Sequence, residues 1–223
     1  MKHRIALIHA TPVAIEPIRD AFAGGWPDAE LLNILDESLA NDRAKLETLD
    51  HEMYGRFRRL AEYARHIRAS GILFTCSAFG DAIGRAASSV DIPVLRPNEA
   101  MFDAALAAGD RIGMVATFAP AMASMEEEFR EAAQAAGSGA ELRATVAAGA
   151  MDALRAGDEA THNRLVAESA RGLAGCDAIM LAHFSTSRAL EAVRKSVRQP
   201  VLTAPHAAME RLRSLVLRPE PSR

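Results

Sequence analysis

The chain of 223 residues has two cysteines, Cys76 and Cys176, and no Cys-x-x-Cys pair. Neither a disulfide framework nor a thiolate zinc site is expected, and a reducing, cytoplasmic compartment fits best. No apolar run approaches the roughly 18 residues needed to cross a bilayer, so no membrane partner is expected. Lys2, His3 and Arg4 precede the apolar stretch Ile5 to Ala10, which is too short for the core of a secretion signal, and no convincing cleavage site follows it. Positive charge is not in excess. The formal net charge is −3, which exerts no strong pull toward nucleic acid. Arg211, Arg213, Arg218 and Arg223 read as a solvated helix face and tail. Glycine-rich turns of the dinucleotide or P-loop kind are missing, so no nucleotide cofactor is expected. No stretch reads as a long linker or as low complexity, and Pro219 to Arg223 read as a frayed tail.

What is present is an ordinary globular composition, 49% hydrophobic and 25% charged, long enough for one large domain or two lobes with their own cores. The chain also resembles itself at an offset of 107 residues (112 less 5). Ile5-Ala6-Leu7-Ile8 answers to Ile112-Gly113-Met114-Val115, and Pro93-Val94-Leu95 to Pro200-Val201-Leu202. Between these anchors, the run from Gly71 to Ser77 answers to the run from Ala178 to Phe184 in the same register. Repeated apolar runs before turns are common in any α/β chain. One gapless register through three anchors points instead to a duplicated unit.

Periodicity predicts strands at Ile5 to His9, Leu31 to Leu35, Ile72 to Cys76 and around Val94-Leu95. It predicts helices over Val13 to Ala23, Asn41 to Ser70 and Phe79 to Ala87. The second of these carries Leu46, Leu49, Met53, Phe57, Leu60 and Tyr63 at spacings of three and four. The second half repeats the order, with strands at Ile112 to Ala116, Leu142 to Val146, Ile179 to Ala182 and Val201-Leu202. Its helices are Ala121 to Ala136 and Asp158 to Leu173, and the Ala/Gly-rich segment 132–149 reads as a loop with a strand inside it. Alternating strands and helices imply an α/β fold of parallel sheets flanked by helices. We expect two similar lobes related by a pseudo-dyad, residues 1–97 with a C-terminal helix at 207–223, and residues 98–206, with the active site in the cleft between them.

In such sheets ligands bind beyond the carboxyl ends of the strands. The residues there are His9, Ala10 and Thr11, then Thr75, Cys76 and Ser77, then Ala116 and Thr117, then His183 and Ser185. Small hydroxyls with backbone N–H groups at helix N-termini suit a carboxylate. The 107-residue register sets Cys76 opposite His183. As a free cysteine, Cys76 has a plain alternative as a small buried hydrophobe, but its place between two hydroxyl residues favours a functional role. His183 reads slightly more readily as a pocket wall than as an acid/base, Cys176 as structural, and Thr117 as a carboxylate ligand, a helix cap, or both. His206 lies after the last strand. His3, His51, His66 and His162 read as surface residues. A metal held by His9, His183 and His206 has no supporting ligand spacing.

These motifs resemble the aspartate/glutamate/hydantoin racemase superfamily. The resemblance rests on Ile5 to Pro12, the turn Thr75-Cys76-Ser77-Ala78, Pro93-Val94-Leu95, the Ala116-Thr117 turn and Pro200-Val201-Leu202, and it spans nearly the whole chain. It implies a two-lobed α/β fold, no cofactor, a small carboxylate substrate, and proton transfer at the carbon next to the carboxylate by one cysteine from each lobe. Cys76 matches the first of these cysteines. The second, usually in a Gly-Cys-Thr turn, is replaced here by Ala182-His183-Phe184. The resemblance also implies substrate contacts from His9, Thr11, Thr75, Ser77, Ala78, Thr117, Phe184 and Ser185. A thiolate is a base only if its pKa falls from about 8.5, and the helix after Ser77 favours that. An imidazole with a pKa near 6.5 is a competent partner at neutral pH. A racemase or isomerase is the leading expectation. A decarboxylase, which needs one cysteine to protonate its carbanion, comes next, ahead of a non-catalytic carboxylate-binding module. A redox sensor lacks a resolving cysteine near Cys76. The oligomeric state, including a homo-oligomer, stays open.

Overall fold

Strand β1 (Arg4–His9) is the centre of a first parallel sheet. It pairs on one side with β2 (Glu30–Leu35) and on the other with β3 (Gly71–Phe74), which pairs in turn with β4 (Val94–Leu95). A second parallel sheet has β5 (Arg111–Ala116) between β6 (Glu141–Val146) and β7 (Ala178–Leu181), with β8 (Val201–Thr203) beyond β7. This is the expected α/β class, two four-stranded parallel sheets flanked by helices. A computed structural model describes residues 2–218; the tail expected at Pro219 to Arg223 lies outside the described residues. The residues fall into two compact units. One comprises the described residues up to Pro97 and those from Ala208 onward, and the other is Asn98–Ala207.

The sequence offset reappears in the strand ladders. Ile5 pairs with Gly71, and Ile112 with Ala178; Ile72 pairs with Val94, and Ile179 with Val201. Each residue of the second sheet here lies 107 positions after its counterpart. The register does not extend to the outer strands. Ile5 pairs with Leu31 but Ile112 with Leu142, an offset of 111 (142 less 31). Four extra residues before β6 account for the difference.

In the first unit, the face of the sheet bearing Ala6, Ile8, Ile72 and Phe74 is covered by helices α3 (His51–His66) and α4 (Gly80–Ala87). Met53, Phe57, Ala61 and Ala64 form the buried stripe of α3. The Phe57 ring packs 5.2 Å from Phe74 and 4.8 Å from Phe79, a geometry that adds to the gain from area alone. Helix α1 (Ile15–Gly25) also belongs to this unit, as does the last helix, α10 (Ala204–Val216), from Ala208 onward. Leu212 and Val216 of α10 close directly over Gly71, where a Cβ would come within 2.9 Å of Leu212 Cδ1. Glycine at the start of β3 is thus what lets the helix sit so near the strand.

The helix predicted over Asn41 to Ser70 is two helices, α2 (Ser38–Arg43) and α3. Asp50 separates them. Its carboxylate accepts a hydrogen bond from Met53 N at 2.8 Å and caps α3, the usual reason a new helix starts at such a residue. Leu46 and Leu49 lie in the connection and still pack against the core, which is why the apolar spacing ran on unbroken. Tyr63, read as part of the stripe, is 53% exposed.

In the second unit, α8 (Glu159–Arg171) and α9 (Leu190–Arg194) build a core with Val115, Ile179 and Leu181. Helices α5 (Glu99–Ala108) and α6 (Met122–Ala135) meet through Phe102 and Phe129, edge to face at 5.7 Å. Residues Ala132 to Ala135, read as loop, belong to α6, and α5 and the short α7 (Ala150–Arg155) were not anticipated. Cys176 is 4% exposed and its Sγ packs toward Gly113, as a structural cysteine does. His162 is not a surface residue. It is 0% exposed on the inner face of α8, in line with Val166 and Ala170, because position 162 falls on the buried stripe at a spacing of four.

Candidate active site

The carboxyl ends of β1 and β3 bring His9, Thr75 and Cys76 into one neighbourhood. His9 is the last residue of β1 and is 0% exposed. Its Nδ1 lies 2.9 Å from Thr75 Oγ1 and its Nε2 lies 3.0 Å from Asn33 Oδ1. Burial pushes the His9 pKa below the ordinary imidazole value, and the hydrogen bond to the Asn33 amide oxygen opposes this only in part. Thr75 is 6% exposed, with its hydroxyl turned to His9 and, at 3.4 Å, to the Ile8 carbonyl.

Strand β3 ends at Phe74, two residues earlier than the expected Cys76. Cys76 keeps an extended backbone, φ −123° and ψ 121°, at the N-cap position of a 3-10 turn, Ser77–Phe79, that runs straight into α4, and its side chain makes no capping bond. Its side chain is partly exposed, as is Ser77, while Ala78 is exposed. Cys76 shares a tight crevice with Ile8, His9, Ala10, Leu39, Phe57, Phe74 and Phe79, too narrow to hold a water molecule. Cys76 is therefore walled in part by apolar side chains and is in part exposed. Arg43, at the end of α2, donates to the Ala78 carbonyl at 3.3 Å and to the Leu46 carbonyl at 2.6 Å, tying the α2–α3 connection to this turn. Thr11 precedes a short 3-10 turn, Pro12–Ala14, and makes no capping bond from its side chain.

In the second unit the corresponding turn is built differently. His183 also lies two residues beyond its strand, but its φ is 68°. The left-handed region costs an L-residue about 1–2 kcal/mol. The next residue, Phe184, is helical, φ −63° and ψ −38°, and the 3-10 turn spans Ser185–Ala189. The turn thus starts one residue later than in the first unit, and His183 takes up the extra residue. Its Nε2 is buried and has no hydrogen-bond partner among the described residues. Burial alone pushes its pKa below the ordinary value. An unpaired buried nitrogen costs about 1–3 kcal/mol, so position 183 carries two separate local costs.

Thr117 is 5% exposed and its hydroxyl lies 3.2 Å from that of Thr186, which is 0% exposed. Phe184 and Ser185 are buried at 4% and 7%. Ser187 donates to the Phe184 carbonyl at 2.7 Å and braces the turn. His206 pairs with Thr203 at 2.7 Å. Among the described residues no group of three or more His, Cys, Asp or Glu comes together as metal ligands.

Two contributors escaped the sequence reading, Asn33 and Thr186. Asn33 was visible as the one polar residue in the run Leu31-Leu32-Asn33-Ile34-Leu35. In a parallel ladder Asn33 pairs with Leu7 and Leu35 with His9, which places Asn33 on the same face as His9. Thr186 gave no signal beyond its place in a run of hydroxyls.

A model of the Asp/Glu/Hydantoin racemase family matches residues 18–174. The chain belongs to the Asp/Glu/hydantoin racemase family. No curated protein matches it in sequence. Solved structures share its fold at low identity. An aspartate racemase homologue from Pyrococcus horikoshii has a TM-score of 0.72 at 15% identity, covering 97% of this chain and 99% of that one. Allantoin racemase from Klebsiella pneumoniae has a TM-score of 0.72 at 20% identity, with 96% and 88% covered. A variant of arylmalonate decarboxylase, in its sulfate-associated form, has a TM-score of 0.66 at 15% identity, with 96% and 93% covered. Within this racemase family member, Cys176 is buried in the core, so Cys76 is the cysteine with an exposed side at a strand end. Among the described residues no helix is long and apolar enough to cross a membrane.

Proposed function

We propose that the protein is a cofactor-independent racemase that moves a proton at the carbon next to the carboxylate of a small amino acid or related substrate, with Cys76 as an essential proton-transfer residue. The observation that carries the reading is the site of Cys76. A partly exposed cysteine stands at the N-cap position of the turn leading into α4, in a chain of the racemase family. The N-terminal end of a helix favours negative charge, which suits both a thiolate and a substrate carboxylate. Thr11, Ser77, Ala78, Thr117, Phe184 and Ser185 are proposed to line the substrate, with backbone N–H groups and hydroxyls holding the anion.

His183 is proposed as the second acid/base, acting on the face of the substrate carbon opposite Cys76. The resemblance puts the family's second cysteine at this position, where the chain has histidine, and the 107-residue register makes Cys76 and His183 equivalent positions of the two halves. Burial favours the neutral imidazole. The resting pair is then a neutral imidazole and a protonated thiol. His183 takes the proton from the α-carbon, and the bond electrons pass into the adjacent carboxylate as an enolate. The Cys76 thiol gives its proton to the other face. Inversion leaves an imidazolium and a thiolate, which is the starting state for the reverse direction, and proton exchange resets it.

A second reading follows from the same replacement. A decarboxylase forms its carbanion by losing carbon dioxide, so one thiol that protonates the carbanion suffices. Incubation in deuterium oxide with chiral amino and hydroxy acids, hydantoins and malonates separates the two. The racemase reading expects deuterium at the α-carbon together with inversion. Carbon dioxide release from malonates without exchange of chiral acids would replace it with the lyase reading, and neither signal would leave a binding protein.

A further inference from the structure

The polar groups linking the ends of β2, β1 and β3 fix one another's protons. Asn33 Oδ1 lies 3.0 Å from His9 Nε2, and His9 Nδ1 lies 2.9 Å from Thr75 Oγ1. His9 and Thr75 are 0% and 6% exposed, so water is not the ready partner of either, and an unmade bond there is costly. A neutral imidazole has one N–H and one lone pair. The amide oxygen of Asn33 can only accept, so Nε2 carries the hydrogen and Nδ1 is left as the acceptor. Thr75 has a single hydroxyl hydrogen. At 2.9 Å His9 Nδ1 is the better acceptor for it than the Ile8 carbonyl at 3.4 Å.

We infer that Asn33 is a positioning residue: its carbonyl oxygen fixes the tautomer of His9 and so turns the Thr75 hydroxyl hydrogen away from the substrate side of the Cys76 turn. One consequence bears on recognition. Thr75, expected from sequence as a donor to the substrate carboxylate, presents only lone pairs to anything else, and anion binding falls to Ser77 and the backbone N–H groups. The effect on substrate binding rests on the proposed function; the effect on the tautomer does not.

The test is the nitrogen chemical shifts of the His9 imidazole in long-range nitrogen–proton spectra, assigned by loss of the signals in His9→Gln. Wild type is expected to show an N–H at Nε2 and a lone pair at Nδ1. Asn33→Asp offers only acceptor oxygens and should keep that pattern. Asn33→Leu removes the acceptor and should give a mixture of tautomers, with KM changed by about threefold and kcat little changed, as expected when binding of the anion rather than the reacting group is altered. Asn33→Asp should keep KM near that of wild type. Asn33 is exposed on an edge strand, so both variants are expected to fold. A hydrogen on Nδ1 in wild type would overturn the inference, as would an unchanged tautomer in Asn33→Leu, including a variant that merely loses stability. The spectra need no substrate, so a failure of the Cys76 assignment would leave them standing.

Discussion

Replacing His183 with glycine is expected to stabilise the protein while removing its proposed acid/base. Two costs at this position can be separated. The backbone sits at φ 68°, which glycine adopts freely and alanine does not, so His183→Gly should be more stable than His183→Ala by about 1 kcal/mol. Both variants also remove the buried Nε2 that has no partner among the described residues, a relief of about 1–3 kcal/mol. Against this stands the lost packing of a partly buried imidazole, roughly 1–2 kcal/mol. The balance puts His183→Ala near wild type and His183→Gly about 1 kcal/mol above it, equivalent to a rise of about 2–4 °C in midpoint for a chain of this size. Urea denaturation followed by far-ultraviolet circular dichroism is the assay. The single tryptophan, Trp26, lies in the first unit and is the wrong probe. Glycine no more stable than alanine would refute the left-handed backbone. A loss above about 2 kcal/mol in both variants would make His183 a packing residue with satisfied nitrogens. Gain of stability with loss of inversion is the pattern of a residue kept for function.

Three further outcomes are expected. Phe57→Ala should cost about 3–5 kcal/mol in urea denaturation, since the ring is 2% exposed and packs on both Phe74 and Phe79; a cost under 1 kcal/mol would contradict that packing. Asp50→Ala should cost about 1 kcal/mol by removing the α3 cap, and Asp50→Asn should recover most of it; equal losses in both would contradict the capping role. Stability should fall as pH drops below about 6.5, because His9 and His183 have folded-state pKa values below those of the unfolded chain. The unfolded state takes up protons first, so the stabilisation is present above the unfolded pKa and is lost on descent toward the folded values. His9→Gln should reduce that slope, measured as denaturation midpoints between pH 7.5 and 5, and an unchanged slope would contradict the shift at His9.

The architecture was legible because buried parallel strands are continuous apolar runs, and here they recur in one register. The ladders at Ile5–Gly71 and Ile112–Ala178 follow the same offset as the sequence. The offset fails at β6 because outer strands absorb differences in loop length. The break at Asp50 was hidden by Leu46 and Leu49, which keep helical spacing while lying outside a helix. At the strand ends the residues are right neighbours in sequence, but side-chain direction is not written there. Alternation sends Thr75 toward His9 and away from Cys76. The left-handed backbone at His183 had no decisive sequence sign, since histidine is enriched in that region but still seldom adopts it. His162 was misjudged because one histidine on a polar helix looks the same whether its stripe faces in or out.

The central claim is that Cys76 transfers the proton. The most direct measurement is deuterium incorporation and inversion of a turned-over substrate from the acid and hydantoin panel, in wild type and Cys76→Ser at equal folded concentration. A hydroxyl is far too weak an acid to supply an anion at neutral pH. The account predicts that Cys76→Ser loses turnover by at least about a thousandfold, while His183→Ala loses inversion and keeps exchange on the Cys76 face. Full inversion by the Cys76→Ser protein would contradict it.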